Sequence, residues 1–256
     1  MSETILQVAG VSKRFGGLQA LSDVGIHIQR GQVYGLIGPN GAGKTTFFNV
    51  LTGLYTPDSG SFELAGQAYQ PTAVHTVAMA GIARTFQNIR LVAEMTALET
   101  GRGGRHIRTQ SGLLGAVFRT RSFLAEEKAI AVRAQELLDY VGIGKFADYK
   151  ARTLSYGDQR RLEIARALAT DPQLIALDEP AAGMNATEKV MLRELIDRIR
   201  KDNRTILLIE HDVKLVMGLC DRVTVLDYGK QIAEGTPAEV QKNQAVIDAY
   251  LGTAAH

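Results

Sequence analysis

A glycine-rich segment lies between a short apolar run and a helical pattern, and few folds accommodate this order of elements. The apolar run, Gln32 to Gly38, predicts a buried strand, and the helical pattern covers Thr46 to Leu54. The segment between them matches the pattern GxxxxGK[ST]. Its residues are Gly38, Pro39, Asn40, Gly41, Ala42, Gly43, Lys44 and Thr45. A strand before this pattern and a helix after it favour a phosphate-binding loop over an ordinary glycine-rich turn.

The chemistry of this phosphate loop predicts a nucleoside triphosphate as the ligand. Glycines allow successive backbone N–H groups to turn toward phosphate oxygens, and the N-terminus of the following helix adds its positive end. Lys44 supplies a point charge for the β- and γ-phosphates, and the hydroxyl of Thr45 is a candidate Mg²⁺ ligand. We therefore expect the loop and Thr46 to bind ATP or GTP together with Mg²⁺.

Short apolar runs alternate with helical patterns along the chain, which predicts an α/β fold with a mainly parallel core sheet. Further core strands are predicted at Leu174 to Asp178, Thr205 to Ile209 and Val223 to Asp227. Shorter strands separated by Gly and Asp turns predict an antiparallel sheet beside the core. These strands are Leu6 to Val11, Val24 to Gln29 and Ser61 to Ala65.

A second region of the chain has a helical character. The strand signal is absent between about residues 95 and 170, where Glu126 to Val141 carries apolar residues at helical spacing. Thr187 to Arg200 repeats this spacing, and Pro237 is expected to open a short helix near the C-terminus. The sequence therefore predicts a helical subdomain and further helices that cover the sheet.

Composition excludes several classes of function. Lys and Arg total 29 against 27 Asp and Glu, so a formal net charge of +2 does not indicate general nucleic-acid binding. Cys220 is the one cysteine, which excludes an internal disulfide and a zinc or iron–sulfur cluster built on cysteines. No apolar run reaches the roughly 18–20 residues that a membrane helix requires. We expect a protein of a reducing compartment, without a secretory signal at its N-terminus.

Two carboxylates, Asp178 and Glu179, follow the predicted strand that begins at Leu174. Open α/β sheets bind ligands at the carboxyl ends of their strands, so Asp178 is a candidate Mg²⁺ ligand. Glu179 is the candidate group that polarises an attacking water, which favours hydrolysis. The alternatives are an ordinary acidic strand end and a kinase, which would need a lid that binds an acceptor.

A third motif lies upstream of the acidic pair. It reads Leu154-Ser155-Tyr156-Gly157-Asp158-Gln159-Arg160-Arg161 and precedes a helical run, Leu162 to Ala169. The order of the phosphate loop, LSYGDQRR and LIALDEP resembles the ATP-binding cassette (ABC) family, whose signature is LSGGQ. The resemblance covers nearly the whole chain. It implies a single ABC cassette over residues 1–256: a P-loop NTPase core, an N-terminal antiparallel β subdomain and an ABC-type α-helical subdomain over about 88–170.

The resemblance also implies roles for single residues, inside and outside these motifs. Phe15 stands where an aromatic residue stacks on adenine, and its alternative role is that of a core phenylalanine. Gln87 resembles the Q-loop glutamine that senses Mg²⁺ or the lytic water, although a solvated glutamine is the alternative. His211 resembles the switch histidine that contacts the γ-phosphate. Ser155 and Gly157 would bind the γ-phosphate of ATP held by a second cassette.

The chain departs from the family pattern at three positions. Tyr156 and Asp158 replace the third and fifth residues of LSGGQ, and Asn185 replaces the usual D-loop aspartate. The serine and the second glycine of the signature are kept, so we expect the clamping of ATP to be kept. Asn185 forms hydrogen bonds but carries no charge, which puts communication through the D-loop in doubt.

Several stretches look closest to the ATP-binding subunits of branched-chain amino acid importers. They are Arg14 to Gly17, Arg84 to Leu91, LSYGDQRRLEIAR, Asp178 to Gly183 and Ala249 to Gly252. This resemblance implies membrane permease subunits, a second cassette that is identical or paralogous, and a periplasmic or extracellular solute-binding protein. It implies a peripheral location on the cytoplasmic face of the membrane. Urea or short-amide import, lipopolysaccharide export and a soluble assembly ATPase are the alternatives.

An arginine-rich segment lies between Gly101 and Ser122. It holds no acidic residue and five arginines, which are Arg102, Arg105, Arg108, Arg119 and Arg121. One hypothesis places this segment near the permease or anionic lipid headgroups. The alternative is a solvated loop of the helical subdomain.

Overall fold

The computed structural model describes residues 3–86, 89, 91–105 and 121–252, without the side chains of residues 121–124 and 251–252. The chain divides into two compact units. The first comprises Met1–Arg84, Gln173–Ala181 and Arg193–His256, and the second comprises Thr85–Pro172 and Ala182–Leu192.

The strands of the described residues all belong to the first unit. They are β1 (Thr4–Phe15), β2 (Leu18–Gln29), β3 (Val33–Ile37), β4 (Ser59–Leu64), β5 (Gln67–Ala68), β6 (Ile82–Arg84), β7 (Leu174–Asp178), β8 (Thr205–Ile209), β9 (Arg222–Asp227) and β10 (Lys230–Gly235). The helices are α1 (Lys44–Leu51), α2 (Val74–Ala80), α3 (Ala97–Arg105), α4 (Arg121–Tyr140), α5 (Tyr156–Leu168), α6 (Ala186–Lys201), α7 (Val213–Met217), α8 (Pro237–Val240) and α9 (Gln244–Gly252).

A six-stranded sheet in the order β10-β9-β3-β8-β7-β6 forms the core of the first unit. Every pairing in it is parallel except that of β10 with β9. All residues of β3, β7 and β8 are buried, as expected for apolar, β-branched strands covered on both faces. This order places β8 between β3 and β7, and the ends of these three strands carry the site described below.

A four-stranded antiparallel sheet in the order β2-β1-β4-β5 forms the other part of the first unit. β1 and β2 have 12 residues each, so they extend beyond the predicted strands, and register shifts interrupt their pairing. In β2, Val24, Ile26 and Ile28 are buried and alternate with less buried residues, which is the pattern of a sheet with one covered face. The predicted α/β class with an antiparallel β subdomain is confirmed.

Helices and short 3₁₀ turns make up the regular structure of the second unit. The predicted apolar face of α4 is buried, and it consists of Ile130, Ala134, Leu137, Leu138 and Val141. α3 packs against α4 and α5. Within residues 95–105 and 121–170 the structure has no strand, only an isolated bridge between Thr96 and Lys150.

Some elements differ from the prediction for identifiable reasons. β5 and β6 are not among the predicted strands, since two or three residues are too short for a pattern. β10 is not among them either, because its outer positions are polar. α1 begins at Lys44 inside the phosphate loop and ends at Leu51. α8 begins at Pro237 as predicted, and Thr236 with Glu239 forms a capping box at its start.

Over the described part of the chain, none of the helices combines the length and apolarity needed to cross a membrane.

Candidate active site

The phosphate loop connects β3 to α1, as predicted. The side chain of Lys44 is buried, and its Nζ donates hydrogen bonds to the carbonyl oxygens of Gly38 (2.7 Å) and Pro39 (2.9 Å). Burial lowers the pKa of Lys44, whereas the carboxylate of Glu179 acts in the opposite direction. The Lys44 ammonium therefore lies against the phosphate loop, and the carboxylate of Glu179 at the end of β7 acts on it.

The backbone conformation of the phosphate loop requires glycine at two positions. Gly38 has φ 153°, and a Cβ there would lie 2.1 Å from the carbonyl oxygen of Leu226. Gly43 has φ 100°, and a Cβ would lie 2.9 Å from the carbonyl oxygen of Ala20. Any side chain at either position would both strain the backbone and collide with a main-chain atom.

An open cleft of about 390 Å³ lies over the loop. Its walls are Phe15, Leu18, Gln19, Ala20, residues 40 to 46, Glu179, Tyr228 and Gly229. The structure thus brings most of the predicted nucleotide contacts to one cleft. Leu18 and Tyr228, which are 68% and 84% exposed, are lining residues that sequence reasoning missed because no motif includes them.

Phe15 is an exposed wall of this cleft. Its ring is 43% exposed, so it is not the core residue that was the alternative. The ring meets Tyr55 edge to face with 5.2 Å between the centroids, and the Lys13 ammonium lies 5.5 Å from the ring centroid. These contacts hold an apolar ring at the cleft, where it could stack on a base.

Asp178 ends β7 as a buried carboxylate. Its Oδ2 lies 3.5 Å from Nη2 of Arg84, which is buried as well. The Arg84 guanidinium also donates to Asn49 Oδ1 (3.1 Å) and Thr52 Oγ1 (2.5 Å), and it lies 4.6 Å from the ring centroid of Phe48. Sequence reasoning assigned Arg84 no individual role, because nothing in the order of residues reports this contact with Asp178.

Glu179 has a left-handed backbone conformation, with φ 45°, which is rare for a residue other than glycine. Its N–H donates to the carbonyl oxygen of Ile209 (2.9 Å), the last residue of β8. Its Oε2 lies 3.7 Å from Nδ1 of His211, and the same nitrogen lies 3.8 Å from Oε2 of Glu210. The predicted hydrolytic glutamate and switch histidine are therefore neighbours.

The sheet order explains why these groups meet. β8 pairs in parallel with both β3 and β7. The phosphate loop follows β3, His211 comes two residues after β8, and Asp178 and Glu179 stand at the end of β7. The carboxyl ends of three neighbouring strands thus supply the site, which is where open α/β sheets bind ligands.

The residues present fit a Mg²⁺ ion bound together with phosphates. Thr45 offers an exposed hydroxyl beside the loop, and Asp178 offers a carboxylate, which are the oxygen donors that Mg²⁺ prefers. Among the residues that the structure describes, no cluster of three or more His, Cys, Asp or Glu could hold a metal. This donor set matches Mg²⁺, which is commonly bound through one or two protein groups and substrate phosphates. Gln87, the third predicted ligand, lies outside the described residues.

The signature segment lies in the second unit. Ser155 caps α5, since its Oγ accepts the N–H of Asp158 (3.2 Å) and donates to Asp158 Oδ2 (2.8 Å). The N–H of Gly157 donates to Glu188 Oε1 (3.3 Å), and a Cβ on Gly157 would lie 2.6 Å from that oxygen. Asn185 and Glu188 exchange two side-chain to backbone hydrogen bonds of 3.0 Å, so the amide that replaces the D-loop aspartate serves as a helix cap.

The buried side chain of Arg160 contacts residues in and near the signature segment. Arg160 is 2% exposed and pairs with Glu163 at 3.0 Å. It also donates to the Tyr156 hydroxyl (3.1 Å) and to the carbonyl oxygen of Phe86. Sequence reasoning missed this role, since two adjacent arginines on a helix give no sign of which one is buried.

The arginine-rich segment is described in part. Arg102 and Arg105 belong to helix α3 and form ion pairs with Glu127 and Asp171, so these two residues do not lie on a loop. Arg108, Arg119 and the side chain of Arg121 lie outside the described part of the structure. The membrane hypothesis for this segment is therefore an untested prediction.

The chain matches family models and curated proteins over nearly its whole length. A family model described as ABC transporter matches residues 21–182, and a second, described as Branched-chain amino acid ATP-binding cassette transporter, matches residues 230–256. The chain is 46% identical over 255 residues to the high-affinity branched-chain amino acid transport ATP-binding protein BraF of Pseudomonas aeruginosa, covering 99% of this chain and 100% of that protein. It is 45% identical, with the same coverage, to the corresponding protein LivG of Escherichia coli.

Solved structures match the fold as well. The chain is similar to the ADP conformation of an ATP-binding cassette of an ABC transporter, with a TM-score of 0.84, 31% identity and coverage of 97% and 99% of the two chains. A nucleotide-free cassette matches with a TM-score of 0.82 and 30% identity over 96% and 98%. The chain therefore belongs to the ABC transporter family, in which it is an ATP-binding cassette with ATPase activity.

Proposed function

We propose that this chain is the ATP-hydrolysing subunit of an importer for branched-chain amino acids, and that it energises transport through separate membrane permease subunits. The observation that carries the substrate class is the similarity, over 99% of the chain, to proteins named for branched-chain amino acid transport. The match of residues 230–256 to a family model of the same description supports it.

Each group of the cleft has a task in this proposal. Phe15 stacks on adenine, and the backbone of Gly38, Pro39, Asn40, Gly41, Ala42 and Gly43, with Thr46 at the start of α1, cradles the phosphates. Lys44 and His211 offset the charge on the γ-phosphoryl oxygens, and Glu179 orients the attacking water. Thr45, Asp178 and Gln87 would hold Mg²⁺, which would supply positive charge to offset that of the phosphates. Catalysis by these residues consists of positioning and charge stabilisation.

Two cassettes make the functional unit in this proposal. Residues 1–256 form one cassette, with a helical subdomain over about 88–170, and a second cassette, identical or paralogous, supplies the facing signature. Ser155 and Gly157 then clamp the γ-phosphate of ATP that the partner cassette holds. The unit lies peripherally on the cytoplasmic face of the membrane, and a periplasmic or extracellular solute-binding protein delivers the amino acid. No nucleic acid takes part.

The experiment that tests this function captures the closed complex. Tagged Glu179→Gln is expressed in the native host, trapped with MgATP and recovered from gently solubilised membranes, and mass spectrometry identifies the proteins that co-purify. We expect two permease subunits and a cassette partner, encoded beside a solute-binding protein for branched-chain amino acids. Lys44→Ala, which should bind ATP more weakly, is the matched control for ATP-dependent closure.

Other partners would change the conclusion in defined ways. Lipopolysaccharide-export proteins, or permeases encoded with a urea- or amide-binding protein, would contradict the substrate class and keep the transporter. Soluble partners alone would contradict the transporter function and favour an assembly ATPase. Uptake of labelled leucine, isoleucine and valine by cells that lack the gene gives an independent readout, because it should fall only if the importer assignment is correct.

A further inference from the structure

A buried glutamate stands beside the predicted catalytic groups and has no part in the roles given above. Glu210 directly follows β8, and its side chain is fully buried. Its Oε1 accepts the N–H of Ala181 at 2.8 Å. Its Oε2 is buried as well and has no partner in hydrogen-bonding geometry among the described residues, although the backbone N–H groups of His211 and Asp212 interact with the carboxylate. A buried carboxylate with one well-formed hydrogen bond is costly compared with an apolar residue of similar volume, so its presence here calls for an explanation other than stability.

The backbone partner of Glu210 belongs to the segment that carries Glu179. That segment is strained at Glu179, with φ 45°, and such strain persists only where surrounding contacts hold it. On one side the N–H of Glu179 is held by the carbonyl oxygen of Ile209. On the other side the N–H of Ala181 is held by the Glu210 carboxylate. Two consecutive residues at the end of β8 therefore hold the strained segment at both of its ends.

The second oxygen of Glu210 faces a histidine. Nδ1 of His211 lies 3.8 Å from Oε2 of Glu210 and 3.7 Å from Oε2 of Glu179, so one ring nitrogen has a carboxylate oxygen from each glutamate beside it. Two negative groups at Nδ1 favour the tautomer that carries its hydrogen there. In the neutral ring of that tautomer, Nε2 carries no hydrogen and can accept a hydrogen bond.

We propose that Glu210 is a positioning residue for ATP hydrolysis, which holds the backbone after Glu179 and keeps the hydrogen of His211 on Nδ1. This inference rests on the proposed function, in which Glu179 orients water and His211 contacts the γ-phosphate. It extends that function by naming the group that sets the geometry and the tautomer of the pair. Burial raises the pKa of the Glu210 carboxyl, whereas the backbone N–H groups of Ala181, Asp212 and His211 and the side chain of His211 act in the opposite direction.

Glu210→Gln separates the charge of the side chain from its shape. The amide oxygen can still accept the N–H of Ala181, but the negative charge beside His211 is lost. We expect kcat for ATP hydrolysis to fall roughly 10- to 100-fold, which is typical when a group that orients an active-site residue is removed. The Kd and KM for MgATP should stay within about threefold of the wild-type values, since Glu210 is not among the residues that line the cleft.

Nitrogen NMR of the imidazole rings reports the tautomer of His211. This tautomer would not change if Glu210 served only to stabilise the fold. The chain has five histidines, and the spectrum of His211→Gln assigns the signal of His211. The wild-type protein should show His211 with its hydrogen on Nδ1, and Glu210→Gln should shift the population toward the Nε2–H tautomer. Glu210→Asp keeps the charge on a side chain that is shorter by one methylene, so we expect the same loss of kcat. This variant replaces Glu210→Gln in the experiment if the glutamine variant does not fold.

Glu239→Gln is the matched control. Glu239 also accepts a backbone N–H, that of Thr236 at 2.7 Å, but it is exposed and caps α8. This variant should leave kcat and the His211 signal unchanged. An Nε2–H tautomer in the wild-type protein, or wild-type kcat in both Glu210 variants, would overturn the inference.

The variants at the proposed catalytic groups identify which proposal fails. If Glu179→Gln and His211→Ala lose turnover while both Glu210 variants keep it, the positioning role is wrong and the proposed function stands. If Glu179→Gln and His211→Ala hydrolyse ATP like the wild type, the assignment of the pair is wrong and the role of Glu210 is overturned with it.

Discussion

The guanidinium of Arg84 and the carboxylate of Asp178 form a buried ion pair, with Nη2 3.5 Å from Oδ2 and both side chains less than a tenth exposed. Arg84 ends β6 and Asp178 ends β7, so the pair lies at the ends of two neighbouring parallel strands. Contacts of Arg84 with Asn49, Thr52 and the ring of Phe48 hold the guanidinium in place. A proposed Mg²⁺ ligand is thus oriented by a cation that no motif names.

Removal of Arg84 should destabilise the fold, because Asp178 would become a buried charge without this partner. We expect Arg84→Met to cost about 3 kcal/mol of unfolding free energy. For a chain of this size that corresponds to a fall in Tm of roughly 6–12 °C in differential scanning calorimetry. Arg84→Met combined with Asp178→Asn should lose less than the sum of the two single changes. Strict additivity of the three Tm shifts would show that the pair is not coupled.

Substitutions of Glu179 and Lys44 should separate hydrolysis from binding. Glu179→Gln removes the group that orients water, so kcat should fall about 10²–10⁴-fold while MgATP stays bound and the protein accumulates as a closed dimer. Lys44→Ala removes the charge held over the loop and should weaken ATP binding by about 1.5–3 kcal/mol. Phosphate release, equilibrium binding and size-exclusion chromatography with MgATP measure the three effects. Turnover near the wild-type rate in Glu179→Gln would contradict its role.

Alanine at Gly38 should abolish nucleotide binding through the backbone alone. A Cβ there would lie 2.1 Å from the carbonyl oxygen of Leu226, so the loop must move. Gly41→Ala meets no atom within 4 Å and carries only the strain of φ 80°, about 1–2 kcal/mol. Gly17→Ala, which has open space around it, is the neutral control. Equal ATP affinities for the Gly38 and Gly41 variants would contradict the steric account.

Phe15 should contribute to affinity through its apolar ring and not through a polar group. Phe15→Ala should weaken MgATP binding by about 1 kcal/mol, which is roughly fivefold in Kd. Phe15→Tyr keeps the ring and should bind like the wild type. Titration with a fluorescent ATP analogue measures both variants. Binding by Phe15→Ala as tight as in the wild type would show that the ring does not meet the base.

Residues close together in the sequence account for most of what was predictable about the site. The phosphate loop was predictable because its glycines, Lys44 and the flanking strand and helix are one continuous segment. Asp178 and Glu179 were predictable because the end of a buried parallel strand is a known place for ligand-binding groups. His211 was predicted from the family resemblance, and its place after β8 and beside Glu179 comes from the structure.

The burial and the contacts of Arg84 and Glu210 could not be predicted from the sequence. Each is a charged residue beside apolar positions, and its order in the chain does not tell whether it is solvated or buried. Arg84 and Asp178 are 94 residues apart, and only the pairing of β6 with β7 brings them together. Ala181 and Glu210 are 29 residues apart and meet because β7 and β8 are neighbours. Contacts of this kind depend on the order of strands in the sheet.

Local features of this protein could be read from its sequence: the phosphate loop, the strands that carry the proposed catalytic groups at their ends, and the helix that begins at Pro237. These features follow from backbone conformation and side-chain type within a few neighbouring residues. Which charges are buried, which charged groups lie beside one another, and that β8 lies between β3 and β7 became known only from the tertiary structure. Strand order and burial arise from packing between distant segments, and the free energy of a charged group depends on that environment.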